Sequence, residues 1–145
     1  MYRLRNTNLE VFLIHPGGPF WTNKDLGAWS IPKGEYAGDE TALDAAKREF
    51  VEETGFQPTG DVIELGEIRQ PGGKFVKAWA FEGDCDPKDL QSNTFTMEWP
   101  PRSGRKVEFP EVDRGAWYPL EDARRYLSAA QHPFLERLVH ERSAK

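Results

Sequence analysis

The segment that decides the fold spans Gly34 to Phe56 and reads GEYAGDETALDAAKREFVEETGF. Its pattern of apolar and charged residues predicts a helix over Thr41–Thr54. Thr41 is suited to accept a hydrogen bond at the helix N-terminus, and acidic residues precede it, where negative charge is favoured. Gly55 follows the last turn, and glycine readily adopts the left-handed conformation that ends a helix. Both ends of the helix are therefore marked in the sequence.

Three glutamates share one face of this predicted helix. Glu49, Glu52 and Glu53 are three and four residues apart, so their side chains project together. Like charges at this spacing repel, and the arrangement requires either a compensating cation or exposure to solvent. Another face carries the apolar residues expected to be buried, which are Ala42, Leu43, Ala46 and Phe50. Taken alone, the helix is explained at least as well by a solvated acidic face opposite a buried stripe.

The spacing of the flanking residues favours the cation site. Seven residues fit the pattern G-x5-E-x7-R-E-U-x-E-E-x-G-U, in which U is apolar: Gly34, Glu40, Arg48, Glu49, Glu52, Glu53 and Gly55. At average residue frequencies such a match arises by chance about once in a million chains or less. The pattern resembles the Nudix box, and on it the chain is identified as a member of the MutT-like Nudix hydrolase superfamily. Phe50 and Phe56 stand where aliphatic residues are usual, and we expect repacking to accommodate them.

The resemblance implies both a fold and a chemistry. The fold would be α+β, with a mixed β-sheet sandwiched between α-helices, and a single domain would fill residues 1–145. The reaction would be the hydrolysis of a diphosphate linkage assisted by Mg²⁺, with Mn²⁺ as a substitute ion. Because Mg²⁺ keeps several of its waters, the three glutamates need not all bind one ion directly.

The same resemblance implies a role for each charged residue of the box. Glu52 and Glu53 would be the principal metal ligands, and Glu49 would share the metal and orient or deprotonate water. Arg48 would pair with a box glutamate and hold its rotamer. Glu40 would be an acid that supports this arrangement.

Gly34 and Lys33 stand in the turn that precedes the box. Gly34 would permit the turn and offer a backbone carbonyl to the metal, although turn glycines without any such role are common. Lys33 is a candidate for binding substrate phosphate as a point charge, although most surface lysines are merely solvated.

One further acid outside the box is expected to activate water. The segment from Glu111 to Trp117 reads EVDRGAW and resembles the part of diadenosine tetraphosphate hydrolases in which an acid precedes a strand tryptophan by six residues. Glu111 is therefore predicted to be catalytic and to contact the metal. Glu98 is a weaker candidate, and a solvated loop glutamate is the alternative interpretation of either residue.

The substrate is narrowed only to a nucleotide-like diphosphate. The resemblance of the C-terminal half favours the diadenosine polyphosphate hydrolase branch. Pro71, fifteen residues beyond the box, resembles a marker of ADP-ribose pyrophosphatases but also suits a turn. ADP-ribose or nucleoside triphosphate hydrolysis therefore remains an alternative. A non-catalytic Nudix domain that binds a nucleotide is another, against which the intact set of acids argues.

The rest of the chain predicts short strands and two further helices. Predicted strands are Leu9–His15, Trp29–Pro32, Val62–Ile68, Phe75–Phe81 and Gly115–Tyr118, predicted helices are Glu121–Leu127 and Pro133–Val139, and predicted loops are Asp84–Ser92 and residues 102–106. Phe75, Trp79 and Trp117 could stack on a base, but strand aromatics more often belong to the core.

Composition and charge limit the remaining possibilities. The net charge of −5 gives no general attraction for long nucleic acids, so a phosphate ligand has to be bound by a local site. The sequence contains no apolar run long enough to span a bilayer, and a membrane location is not expected. The single cysteine, Cys85, fits a reducing compartment and favours the cytoplasm. The oligomeric state is not readable from the sequence.

Overall fold

The computed structural model describes residues 1–32 and 40–143, and within them seven strands and three helices are defined. The strands are β1 (Tyr2–Arg5), β2 (Asn8–Pro16), β3 (Val62–Arg69), β4 (Phe75–Phe81), β5 (Thr94–Glu98), β6 (Lys106–Pro110) and β7 (Val112–Pro119). The helices are α1 (Ala42–Thr54), α2 (Leu120–Tyr126) and α3 (His132–Ser143). The predicted box helix is therefore present, and it begins one residue after Thr41.

All the strand pairs are antiparallel, and a parallel bridge connects the sheet of β1, β2 and β7 to the β3–β4 pair. β2 lies between β1 and β7, whereas β3 pairs with β4 and β5 pairs with β6. Tyr2 of β1 also forms a parallel bridge with Glu82, directly after β4. This bridge gives the strand arrangement its mixed character, and together with the three helices it confirms the expected α+β class.

The core is built on β2, whose central residues are buried on both faces of the strand. Leu13 is fully buried among residues of β1, β3, β4 and the C-terminal helices. Phe134, Leu135 and Leu138 supply the apolar stripe of α3. Each large apolar side chain buried in this way contributes about 1.5–3 kcal/mol. On the opposite face of β2, Phe12 belongs to a second cluster, and the centroid of its ring lies 5.3 Å from that of the Trp117 ring.

Most predicted elements are present within one or two residues of their expected ends, but a few are not. Phe75–Phe81 agrees with its prediction, and β3 and α2 differ from theirs by one residue at one or both ends. α3 continues four residues beyond its predicted end, and β7 begins three residues before its predicted start. The predicted strand over Trp29–Pro32 is reduced to bridges, in which Ser30 exchanges both backbone hydrogen bonds with Ile14. Proline at position 32 lacks the N–H that a longer ladder requires.

Two features of the fold were not predicted. β1 alternates apolar and charged residues, YRLR, but a run of four residues is at the lower limit of length for predicting a strand. The β5–β6 hairpin lies outside the predicted strands, although Phe95 and Met97 alternate with exposed residues in β5. No helix in the described part of the chain is long and apolar enough to cross a membrane.

Candidate active site

Local interactions fix both ends of α1. The Thr41 side chain accepts a hydrogen bond from the Asp44 N–H at 3.1 Å, so half of a capping box is formed. Gly55 adopts the left-handed conformation at φ 78°, and its N–H donates to the Val51 carbonyl at 2.7 Å. The predicted caps are thus both present, and they determine where the carboxylates between them lie.

The buried face of α1 differs from the predicted stripe. Phe50 is buried, and its ring meets Phe81 of β4 edge-on at 5.2 Å. Ala45 and Thr54 are also buried, and neither was predicted. The remaining members of the predicted stripe are only half-buried: Ala42, Leu43 and Ala46. The buried surface of the helix is therefore rotated from the prediction, because one side of α1 borders an open cleft.

Arg48 gathers three of the box carboxylates around one guanidinium group. Its Nε and Nη2 donate to the two oxygens of Glu40 at 2.6 and 3.0 Å. Its Nη1 donates to Glu49 at 2.9 Å and to the two oxygens of Glu52 at 3.2 and 3.1 Å. This geometry gives Glu40 the bidentate contact that holds a carboxylate in one orientation. Arg48 therefore acts as a clamp that links Glu40, two residues before α1, to the middle of the helix.

The electrostatics of this clamp differ between its members. Hydrogen bonds from Arg48 to Glu40, Glu52 and Glu49 raise the pKa of the guanidinium above its usual range. Burial raises the pKa of Glu49, and the negative charges of Glu52 and Glu111 raise it further, against the opposing effect of Arg48. Arg48 offsets only part of the repulsion between these carboxylates. An added cation would offset more of it, so this group is favourable for binding a cation.

Glu53 belongs to the same helix. It is half-buried and lies one turn beyond Glu49. Its part in the grouping of the three glutamates stays a prediction.

A short segment, Gln91–Asn93, ties the end of α1 to the start of β7. The N–H groups of Gln91 and Asn93 donate to the Thr54 and Glu52 carbonyls at 2.9 and 2.8 Å. The Asn93 carbonyl in turn accepts from the Glu111 N–H at 2.8 Å. These bonds satisfy carbonyls of the last turn of α1 that the helix itself leaves open. They also hold Glu111 beside the carboxylate face.

Serine at position 92 strengthens this connection. Its Oγ accepts from the Val112 N–H at 3.1 Å and lies 3.0 Å from the Val112 carbonyl, to which it also donates. Nothing in the sequence indicated this role, because backbone hydrogen bonds leave no signature in the pattern of side chains.

Gly55 is required at the junction of α1 and the Gln91–Asn93 segment. A Cβ added to Gly55 would lie 2.9 Å from the Gln91 carbonyl oxygen, in a backbone conformation that side chains disfavour. We expect Gly55→Ala to lower the free energy of unfolding by about 2–4 kcal/mol, as measured by urea denaturation.

Gly60→Ala provides the matched control for that substitution. Gly60 has a similar φ of 74°, but a Cβ there would meet nothing within 4 Å. It should therefore cost only about 1–2 kcal/mol for the backbone strain. Equal losses in both variants would show that the close approach of a Cβ at position 55 to the Gln91 carbonyl oxygen has no effect on stability.

The structure brings together some of the predicted site residues. Arg48, Glu49 and Glu52 are in direct contact, and Glu111 is near enough to affect the ionisation of Glu49. Lys33 and Gly34 lie outside the described residues. Glu98 is exposed at the end of β5, opposite Lys106. Of the predicted acids outside the box, Glu111 is therefore the one with an electrostatic connection to the carboxylate helix.

The donor set suits a hard divalent cation in its chemistry, since it consists of carboxylate oxygens that already surround one positive group. Within residues 1–32 and 40–143, no three His, Cys, Asp or Glu side chains are arranged as a preformed metal-binding group. In the arrangement described here, oxygens of Glu49 and Glu52 are instead engaged by Arg48.

The comparisons with protein families and with solved structures both identify Nudix proteins. The family described as NUDIX domain matches residues 1–138. A Caenorhabditis elegans Ap4A hydrolase is similar in structure, with a TM-score of 0.68 and 21% identity over 99% of this chain and 93% of that chain. The NUDIX domain of Shewanella oneidensis NrtR, crystallised with ADP ribose, has a TM-score of 0.63 and 19% identity over 97% and 82%.

A third structure, a mutT/nudix family protein from Listeria innocua, has a TM-score of 0.60 and 20% identity over 99% of this chain and 89% of that chain. No curated protein matches this sequence. The chain belongs to the NUDIX family, because the family match covers almost all of it. The expected Nudix fold is thereby confirmed, and the chain is assigned to the class of hydrolases that act on pyrophosphate bonds, for which divalent metal use is general.

Proposed function

We propose that this protein hydrolyses a diphosphate linkage in a dinucleoside polyphosphate, such as diadenosine tetraphosphate, with Mg²⁺ at the carboxylate face of α1. The main support is the grouping of Glu40, Glu49 and Glu52 around Arg48. A purely solvated acidic face would not need an arginine that contacts three carboxylates, since separated charges are already stabilised by water.

The proposed reaction breaks one P–O bond of the bridging oxygen and forms another to the oxygen of water. One proton of that water goes to a carboxylate, and the bridging oxygen leaves with the departing phosphate. Glu111 is the proposed acceptor of the proton. Bound Mg²⁺ would neutralise phosphate oxygens and lower the barrier to attack. Glu52, Glu53 and Glu49 would hold the ion, and Arg48 would keep their side chains oriented.

ADP-ribose is the second substrate candidate. Support comes from the similar NUDIX domain of NrtR, whose structure contains ADP ribose. The Ap4A hydrolase from C. elegans supports the dinucleoside polyphosphate instead. Both candidate substrates, ADP-ribose and a dinucleoside polyphosphate, contain a nucleoside diphosphate joined to a second group. The carboxylate face would act on the diphosphate linkage that they have in common.

A panel of substrates tests the proposal directly. Purified protein is incubated with Mg²⁺ and either diadenosine tetraphosphate, ADP-ribose, a nucleoside triphosphate or a diphosphoinositol polyphosphate, and the products are separated by ion-exchange chromatography. We expect metal-dependent cleavage, fastest with diadenosine tetraphosphate. Binding of one or more of these compounds without hydrolysis of any of them would support a non-catalytic Nudix domain and would contradict the proposed enzymatic activity.

The clamp formed by Arg48 leads to a separate prediction. Lysine cannot reproduce the bidentate contact with Glu40 and the contacts with Glu49 and Glu52 together. In Arg48→Lys we therefore expect the Mg²⁺ concentration for half-maximal activity to rise about 10- to 100-fold. Activity at saturating Mg²⁺ should be less affected. Titration of initial rates with Mg²⁺ measures both quantities.

Arg124→Lys is the matched control for the clamp. Arg124 also places two guanidinium nitrogens near one carboxylate, at 2.9 and 3.4 Å from Glu136, but it lies on α2 and contacts α3. Its replacement should leave the metal dependence unchanged. If Arg48→Lys likewise left the metal dependence unchanged, Arg48 would not orient metal ligands.

The proposed compartment is the cytoplasm. The sequence contains one cysteine, Cys85, which has no second cysteine in the chain with which to form a disulfide. A single unpaired thiol is consistent with a reducing environment.

A further inference from the structure

The β5–β6 hairpin is anchored at both of its ends to the carboxylate face of α1. Its first strand follows Asn93, whose N–H donates to the Glu52 carbonyl at 2.8 Å. Its second strand ends next to Glu111, whose N–H donates to the Asn93 carbonyl at 2.8 Å. Five residue pairs join the strands, so each strand is about 14 Å long at about 3.4 Å per residue. A substrate whose diphosphate linkage lies at the carboxylate face is therefore close to the start of this hairpin.

The apolar residues of the hairpin share one face of its ladder. They alternate with exposed residues in both strands, and they pair across the ladder, Phe95 with Phe109 and Met97 with Val107. Trp99 continues the register, because its N–H donates to the Arg105 carbonyl at 2.9 Å. All five of these apolar side chains are only half-buried. The hairpin therefore has an aromatic face that the core does not enclose.

The loop after β2 joins this aromatic face to the same site. The Gly17 N–H donates to the Glu111 carbonyl at 2.9 Å. Three residues further along the chain, the Phe20 ring meets the Trp99 ring edge-to-face, with the centroids 5.4 Å apart. Because consecutive Cα atoms are about 3.8 Å apart, the Phe20 Cα lies within about 12 Å of the Gly17 Cα. The Phe20–Trp99 pair is therefore held close to Glu111.

The exposure of the Phe20–Trp99 pair suits a nucleobase. Phe20 is 58% exposed, and Trp99 is half-buried. A group of exposed apolar side chains beside a polar site commonly marks a ligand-binding surface. Every nucleobase has a flat π-face that can stack on an aromatic ring, whatever the identity of the base. The pair is therefore complementary to the base of a nucleotide.

The turn of the hairpin supplies positive charge next to this pair. Arg102, Arg105 and Lys106 are exposed there, in a protein of net charge −5. Lys106 lies opposite Glu98 in the ladder, whereas Arg105 lies opposite Trp99. A guanidinium group beside a stacking ring is complementary to the phosphate of a stacked nucleotide.

We propose that Phe20 and Trp99 bind a base of the substrate by stacking, with Arg105 next to the adjoining phosphate. This role rests on the proposed function, because the carboxylate face has to act on the diphosphate linkage of the same molecule. The hairpin and the loop after β2 then select the substrate, although they contain none of the predicted metal ligands. Nucleotides are preferred over diphosphates that lack a base, such as diphosphoinositol polyphosphates.

NMR titration of the full chain with AMP tests the stacking site without depending on turnover, because AMP contains no diphosphate linkage. The corresponding ribose phosphate, which lacks the base, is titrated in parallel. We expect AMP to bind at least about tenfold more tightly than the ribose phosphate and to shift the indole N–H signal of Trp99. Equal affinities for the two compounds, or no binding of AMP, would overturn the proposal.

Variants of the loop after β2 measure the contribution of the Phe20 ring. Phe20→Ala should weaken AMP binding about tenfold and leave the affinity for the ribose phosphate unchanged, because only stacking on the base is lost. Phe20→Tyr keeps a flat ring at this exposed position and should bind AMP as the unchanged protein does.

Trp21→Ala is the matched control for Phe20→Ala. Trp21 is 39% exposed in the same loop, but its ring lies beside Lys24, whose Nζ is 5.1 Å from the ring centroid. Its removal should leave the affinity for AMP unchanged. Equal losses of affinity in Phe20→Ala and Trp21→Ala would overturn the proposal.

Arg105→Gln tests the contact with the phosphate. AMP and the ribose phosphate both carry this group, so the substitution should weaken the binding of both compounds by the same factor. Unchanged affinities would overturn the assignment of Arg105.

Hydrolysis of diadenosine tetraphosphate distinguishes a failure of the stacking site from a failure of the proposed function. In Phe20→Ala, KM should rise about tenfold with kcat within about twofold of its original value, because the ring binds the substrate without taking part in bond cleavage. A lower kcat at unchanged KM would overturn the proposal, as would a change from dimer to monomer in sedimentation analysis. If the unchanged protein hydrolysed no substrate, the proposed activity would fail, whereas a preference for AMP that depends on Phe20 would still support the stacking site.

Discussion

Replacing Glu52 with glutamine is expected to lower kcat about 10³-fold at saturating substrate. Glutamine keeps the size of the side chain but removes the charge, so it can neither bind Mg²⁺ as a carboxylate nor form an ion pair with Arg48. A metal contributes several kcal/mol to stabilising charge in the transition state, and each 1.36 kcal/mol corresponds to a factor of ten in rate. Single-turnover rates with diadenosine tetraphosphate at several Mg²⁺ concentrations measure the loss.

The fold should survive this substitution. The Glu52 side chain is 35% exposed, and its backbone carbonyl, not its carboxylate, accepts the hydrogen bond from Asn93. Urea denaturation should therefore give a free energy of unfolding within about 0.5 kcal/mol of the original. Removing one of several clustered negative charges can even be slightly stabilising.

Glu64→Gln is the matched control. Glu64 is an exposed glutamate on β3, outside α1 and its contacts with Arg48. It should retain full activity, whereas Glu53→Gln should resemble Glu52→Gln. If Glu52→Gln and Glu53→Gln were both fully active, the box glutamates would have no part in binding the metal, and the acidic face would be a solvated surface only.

Much of the α1 helix could be predicted from the sequence, because its signals are local. The cap at Thr41, the terminal glycine at position 55 and the three- and four-residue spacing of the glutamates each depend on neighbours within a few residues. The contact between Arg48 and Glu52 is also a local i, i+4 pair. These features depend on residues that are close in sequence, so they can be predicted without knowing the rest of the fold.

The surroundings of the helix could not be predicted in the same way. Asn93 joins Glu52 to Glu111 through backbone groups, which every non-proline residue possesses and which carry no sequence signal. The buried side of α1 depends on where β4 and the cleft lie, and for this reason Ala45 is buried without being predicted, whereas Leu43 is only half-buried although its position predicts burial. Contacts between distant segments set these properties.

The likeness of the EVDRGAW segment to diadenosine tetraphosphate hydrolases was a different kind of signal. This likeness identifies Glu111 as a candidate catalytic residue, although no local sequence pattern indicates that Glu111 lies near α1. In the structure, Glu111 follows β6, and the Gln91–Asn93 segment holds its backbone near the helix. Its charge affects the pKa of Glu49, but its catalytic role stays a prediction.

Glu111→Gln tests that role with little structural ambiguity. The backbone N–H of Glu111 donates to Asn93, and its carbonyl accepts from Gly17 at 2.9 Å, so the anchoring of this residue does not require the carboxylate. The side chain is exposed, and the substitution should leave the free energy of unfolding unchanged. If the carboxylate takes the proton of the attacking water, kcat should fall about 10²-fold with little change in KM.

Glu108→Gln is the appropriate comparison, because Glu108 is an exposed glutamate on the neighbouring strand β6, opposite Thr96. Glu108→Gln removes the same charge three residues before Glu111 and should keep full activity. A general base can also be bypassed by a more basic solution, whereas a lost metal ligand cannot. The rate of Glu111→Gln should therefore recover partly as pH and hydroxide concentration rise, while that of Glu52→Gln should stay low. Full activity of Glu111→Gln at neutral pH would remove Glu111 from the mechanism and require another acceptor for the proton of water.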